Sequence, residues 1–136
     1  MRWLAFLGSL AIAGLPAAGV AQSDVDPVQV VDGSYTYRSY CATCHGANAE
    51  GDGPLAGSLR SRPTDLTRLA AHNRGTFPTD RVVRIVDGRN PIRNHGGPDM
   101  PVWGDAFKNS RDGFDDEQVA EKIEAVVAYL KTLQVK

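Results

Sequence analysis

Cysteine, methionine and histidine are all scarce. The 136-residue chain has two cysteines, two methionines and three histidines. Two cysteines cannot build a disulfide scaffold. Without a third cysteine, and with His72 and His95 remote from the pair, zinc lacks the ligands at short spacing that it takes. Charge of one sign is lacking too: a formal net charge of −1 gives no bulk attraction to nucleic acid or to an anionic membrane. There is no internal repeat, no Ser–His–Asp arrangement and no phosphate-binding loop, so nothing points to an enzyme. What remains is ordinary for one globular domain, with 42% hydrophobic and 23% charged residues. Fourteen glycines and eight prolines favour long, turn-rich connections.

The N-terminus reads as an address. Arg2 is a positive start, Trp3 to Leu15 is uncharged, Pro16 breaks the run, and Gly19-Val20-Ala21 offers small residues for cleavage. A membrane anchor is the competing reading, but a spanning helix needs about 20 apolar residues, and Gly8, Gly14, Pro16 and Gly19 weaken it. Residues 1–21 are therefore expected to be a signal peptide, 22–31 a flexible tail and 32–136 the folded domain, with export to the periplasm. Cutting after Ala21 leaves 115 residues of formal charge −2 and no other stretch able to span a bilayer.

The folded part reads as mostly helical. Gly33, Tyr37 and Cys41 are four apart and share a helical face. Asp65 to Ala71 predicts a short helix ending near Gly75. Asp80 to Asp87 predicts another, with Thr79 as its N-cap and Gly88 as its stop. The strongest pattern is the last: Val119, Ile123, Val126, Leu130 and Leu133 make one stripe, and Asp115 with Gln118 predicts a capping box. Phe114 and Val119 could staple its start. Gly46 to Pro63 and Asn90 to Gly104 read as loops. Short helices between such loops make a thin core, so something else should fill the middle.

Cys41-Ala42-Thr43-Cys44-His45 is C-x-x-C-H, the attachment pattern of c-type haem. Two thiols three apart on one helical turn can each add to a vinyl group of one haem. The next residue then presents its imidazole to the iron. A thioredoxin-like dithiol would want a βαβ context, which is missing. A simple disulfide would leave His45 unexplained. For the opposite face of the iron the counts narrow the choice. Once Met1 is removed, Met100 is the only methionine, and it sits between Pro98 and Pro101 on no apolar stripe. A thioether suits both iron oxidation states and raises the potential relative to a second histidine. Met100 is the favoured axial ligand; His95 in the same loop and an open site are the other possibilities. His72 reads as an exposed loop residue.

These residues resemble the class I, monohaem, His/Met-ligated c-type cytochromes of bacterial periplasms. The resemblance runs from about Gly33 to Leu133. It rests on Gly33-x-x-x-Tyr37-x-x-x-Cys41-Ala42-Thr43-Cys44-His45-Gly46, Gly51-Asp52-Gly53-Pro54, Pro63-Thr64-Asp65-Leu66-Thr67, His95-Gly96 and Met100-Pro101-Val102-Trp103-Gly104. It implies an all-α cytochrome c fold, with three to five short helices and long loops wrapped around one covalent haem c. The N- and C-terminal helices would cross near a right angle at Gly33, with Tyr37 and Tyr129 around the crossing. It implies a proline behind the proximal histidine, where a backbone carbonyl accepts the imidazole N–H; Pro54 looks like that position, with Pro63 the alternative. Trp103 would pack on the Met100 side and could reach a haem propionate; plain core packing is the other reading.

The function implied is one-electron transfer between redox partner proteins, with no small-molecule substrate. A free periplasmic carrier is the first expectation. An electron-accepting subunit of a dehydrogenase or oxidase complex is the alternative, and a haem enzyme or gas sensor would need an open iron. Eight arginines between Arg60 and Arg93 face only Asp65, Asp80 and Asp87, whereas Asp112 to Glu124 holds six acids against Lys122. These could be ordinary solvated faces, or the arginines could rim the haem edge and steer an acidic partner.

Overall fold

A computed structural model describes residues 25–90 and 100–135. The expected signal peptide, residues 22–24, His95 and the Gly96–Asp99 part of the Met100 loop lie outside the described residues. Among the described residues all regular structure is helical: α1 (Pro27–Tyr40), α2 (Ala42–His45), α3 (Leu69–His72), α4 (Thr79–Asp87), α5 (Trp103–Lys108) and α6 (Asp116–Thr132), with 3₁₀ turns at Ala56–Ser58 and Leu66–Arg68. That is more segments than the three to five expected, because α2 and α3 are single turns. None of the described helices is long and apolar enough to cross a membrane.

α1 begins inside the stretch expected to be a tail. Asp26 caps it by accepting from the Val28 N–H at 2.9 Å, and Pro27 occupies the first turn, where its missing N–H costs nothing. The helix buries Gly33, Thr36 and Tyr37 against α6, which buries Val119, Ile123, Val126 and Leu130 of the expected stripe, with Leu133 half-buried. A methyl group at Gly33 would overlap the Ala125 carbonyl, so only glycine lets the two backbones meet here. Tyr37 and Tyr129 pack beside this point with ring centres 5.4 Å apart. The capping box of α6 is present in both directions: Gln118 N–H to Asp115 at 2.9 Å and Asp115 N–H to the Gln118 side chain at 3.0 Å.

α4 starts one residue earlier than expected. Pro78 rather than Thr79 is the cap, and its carbonyl accepts from the Val82 N–H at 3.0 Å. Gly88 ends the helix in the left-handed region, its N–H returning to the Arg84 carbonyl at 3.0 Å. Val82 and Val86 face inward. The stretch expected to be loop as far as Gly104 turns helical at Trp103, and Ala106 N–H to the Val102 carbonyl closes the first turn at 2.9 Å. Gly104 packs directly on Asp87 and Arg89, where a side chain would not fit. Arg89 bonds Asp87 at 2.6 Å and Asp116 at 2.9 Å, and Lys108 bonds Asp116 at 2.9 Å, so the end of α4, α5 and the start of α6 are joined by one network.

Candidate functional site

The haem-box turn is built where α1 ends. Cys41 is the C-cap of α1 and the N-cap of α2, and its carbonyl accepts from Cys44 N–H at 3.1 Å and His45 N–H at 2.9 Å. No disulfide joins Cys41 and Cys44. One turn therefore presents both thiols and the imidazole together. Gly46 stops it with φ of 85°. The turn's leftover carbonyls are taken by the Gly51–Leu55 segment running back along it: Gly51 N–H to His45 at 2.8 Å, Gly53 N–H to Cys44 at 3.1 Å and Leu55 N–H to Thr43 at 3.0 Å. Tyr37, 0% exposed, closes the other side, donating its hydroxyl to the Gly46 carbonyl at 2.7 Å.

His45 is oriented from a distance in sequence. Its Nδ1 lies 3.1 Å from the Thr64 carbonyl. A carbonyl can only accept, so Nδ1 carries the proton and the Nε2 lone pair is free for a metal. Burial favours the neutral ring and moves its pKa down, with the Thr64 hydrogen bond opposing. Pro54 is not behind this ring. It is exposed, in the segment that pairs with α2, and the carbonyl in question belongs to Thr64, next after Pro63. The correction has a physical reason. Gly51 to Leu55 is committed to the carbonyls of α2, so the chain returns to His45 only after the loop has gone round. The clue lay in the Pro63-Thr64-Asp65 run, one residue on from the alternative proline.

Beside the turn is a cleft enclosing about 1110 Å³, its open mouth included. Cys41, Cys44, His45, Met100, Pro101 and Trp103 all line it. Its apolar lining comes from Leu66 and Leu69, from Val82, Ile85 and Val86 of α4, and from Val126 and Leu130 of α6. The α6 wall uses the expected stripe. The α4 residues were legible as an apolar face, and the structure turns that face to the cleft. Leu59, Arg62 and Thr64 also line it; the sequence did not single out Leu59, and only loop closure brings it there. Burial pushes the Cys41 thiol up to about 12, with Cys44 as a smaller cause.

The site fits a covalently attached haem. A thiol pair, a neutral imidazole with a free Nε2 and a soft thioether open onto one apolar cleft, which is the donor set and lining that group takes. Among the described residues no three His, Cys, Asp or Glu side chains gather as they would round another metal ion. Trp103 is half-buried, ring-stacked on Phe107 with centres 5.5 Å apart and edge-on to Tyr40 at 5.7 Å. His72 is exposed. Of the arginines expected to form a rim, Arg62 lines the cleft, whereas Arg89 is committed to Asp87 and Asp116.

A protein-family model described as Cytochrome c matches residues 30–134. No curated protein matches the chain.

Proposed function

The chain belongs to the cytochrome c family, and on that premise we propose that it is a class I carrier, exported to the periplasm, that passes single electrons between redox partner proteins. Its all-α cytochrome c fold carries one covalent haem c, which supplies a reversible one-electron iron couple. The reading rests above all on one observation: His45 and Met100 line the same cleft as the thiol pair.

Each residue then has a task. Cys41 and Cys44 form the thioethers. His45 offers Nε2, steadied through Nδ1 by Thr64. Met100, lining the same cleft, would offer its sulfur as the second ligand. Val82, Val86, Val126 and Leu130 keep water from the cleft. Pro101 and Trp103 stiffen the chain beside Met100. With both ligands supplied by the protein no substrate would reach the metal, so the reading is a carrier rather than an enzyme. Residues 1–21 serve as the signal for export and leave with it.

The test is an optical spectrum and redox titration of the mature protein. The expected result is a reversible one-electron transition, slow or absent carbon monoxide binding, and a far-red sulfur-to-iron band in the oxidised form that Met100→Ala abolishes. Fast, tight carbon monoxide binding would overturn the ligand assignment. Stable co-purification with a dehydrogenase or oxidase would replace the free carrier by the subunit reading.

A further inference from the structure

The end of the chain reaches back to the turn that orients His45. Gln134, just beyond α6, is half-buried, and its amide makes three hydrogen bonds. Nε2 donates to the carbonyls of Leu66 and Leu130, both at 2.8 Å, and Oε1 accepts from the Ala70 N–H at 2.9 Å. Val135 adds a backbone N–H to the Thr67 carbonyl at 2.9 Å. The stretch from Leu66 to His72 is a 3₁₀ turn followed by a single α-turn, too short to satisfy its own ends. Gln134 supplies a donor and an acceptor to it from the far end of the sequence.

That turn is continuous with the carbonyl on His45. Asp65 caps it, accepting from Thr67 N–H at 2.9 Å and from the Thr67 hydroxyl at 2.6 Å. Thr64 immediately precedes Asp65, and its carbonyl accepts the hydrogen bond from His45 Nδ1–H. On the other side Leu66 N–H donates to the Ala49 carbonyl at 2.8 Å. The Thr64 carbonyl thus rides on a turn fastened at two points, Ala49 within the haem-box loop and Gln134 at the C-terminus.

We propose that Gln134 is a positioning residue for His45: by clasping Leu66 and Ala70 it holds the Thr64 carbonyl on Nδ1, and so sets the orientation of the ring and its strength as a ligand. A carbonyl on Nδ1–H makes the imidazole a better donor and favours the oxidised iron. Loosening it weakens donation and raises the midpoint potential. The inference deepens the reading of His45 as an axial ligand and depends on it.

The experiment uses the haem-loaded protein with Gln134→Ala, Gln134→Glu and, as a control of lowered stability remote from the turn, Ile123→Val. Two quantities are read at neutral pH: the midpoint potential, and the solvent exchange of the His45 Nδ1 proton by NMR of the reduced form. In Q134A the proton exchanges about tenfold faster, the weight of one hydrogen bond, and the potential rises. Q134E keeps the acceptor for Ala70 but loses both donors, and falls between Q134A and the parent. I123V moves neither. If Q134A or Q134E lowers the melting temperature yet leaves exchange and potential unchanged, Gln134 only fastens the C-terminus and the proposal fails. If the parent protein shows no haem-shifted His45 resonances, the ligand reading itself has failed, and that outcome is distinct.

Discussion

Gly33 lies against the carbonyl oxygen of Ala125, closer than any side chain on α1 would permit. The obstacle is backbone, so it cannot swing aside. Gly33→Ala gains about 1 kcal/mol of helix propensity, but the methyl must part α1 from α6 and disturb the Tyr37–Tyr129 contact. Overpacking costs roughly 1–3 kcal/mol, and a rigid backbone obstacle puts this site at the upper end. Net destabilisation is the expected outcome, measured as a lowered denaturant midpoint with unchanged slope. An equal or higher midpoint would show that the helices do not need this approach.

Tyr37 couples that crossing to the haem-box turn. Tyr37→Phe removes the shorter of two hydrogen bonds on the buried Gly46 carbonyl, which keeps the Ala49 N–H at 3.2 Å, an expected loss of about 0.5–1.5 kcal/mol. The pH dependence changes as well. Burial above all, then the neighbouring Cys41, Tyr129 and Asp52, raises the Tyr37 pKa beyond its ordinary value. Burial persists when Cys41 is a thioether. The unfolded chain therefore releases the proton first. The stability tied to the neutral phenol is complete below about pH 10 and is lost as pH rises further. Thermal melts of the parent and Y37F at increasing pH should converge on the alkaline side.

How much of this could be read in advance differs by element. The haem box, the place of Met100 on the cleft and α6 were legible because each is local: a fixed spacing, a lone residue type, a period of 3.6. The crossing at Gly33 was legible through the family resemblance, since alone that glycine reads as a boundary. The start of α1 was misplaced because Asp26 and Pro27 look like the end of a tail until the helix behind them is known. α5 was missed because Gly104 and Pro101 argue for a loop, whereas the packing of Gly104 on Asp87 and Arg89 overrides propensity. The partner of His45 was misassigned to Pro54 because nothing local tells which carbonyl a loop will bring back.

The acid side of the stability profile is carried by exposed and half-exposed carboxylates. The Thr67 hydroxyl, chiefly, holds the Asp65 pKa below the usual carboxylate range. Lys108, then Arg89, does the same for Asp116, which also sits at the positive end of α6. Each binds protons more weakly folded than unfolded. Their stabilisation is present above about pH 4 and is lost as pH falls through the folded values. Melting temperatures between neutral and acid pH should fall less steeply in Asp116→Asn and Asp65→Asn than in the parent. Parallel curves would mean that the pairs seen around Asp116 hold nothing together in solution.

The chain on either side of the Met100 segment is drawn together at its base. A methyl at Gly88 would stand 3.2 Å from the Val102 Cα, and one at Gly104 would strike the Asp87 carboxylate and the Arg89 side chain. Gly104→Ala must therefore displace side-chain ends that can move, at the expense of the Arg89–Asp87 pair. The expected loss of stability is modest, about 1 kcal/mol. The larger effect falls on Met100, which precedes the pinned end by only a few residues. In the oxidised protein the far-red sulfur-to-iron band should be lost at lower pH in G104A than in the parent. Arg89→Gln, which leaves Gly104 intact but removes the cation, should shift the band in the same direction. If both variants keep the parent's titration while losing stability, the network braces α4 and α6 alone and leaves the hold on Met100 to Pro101 and Trp103.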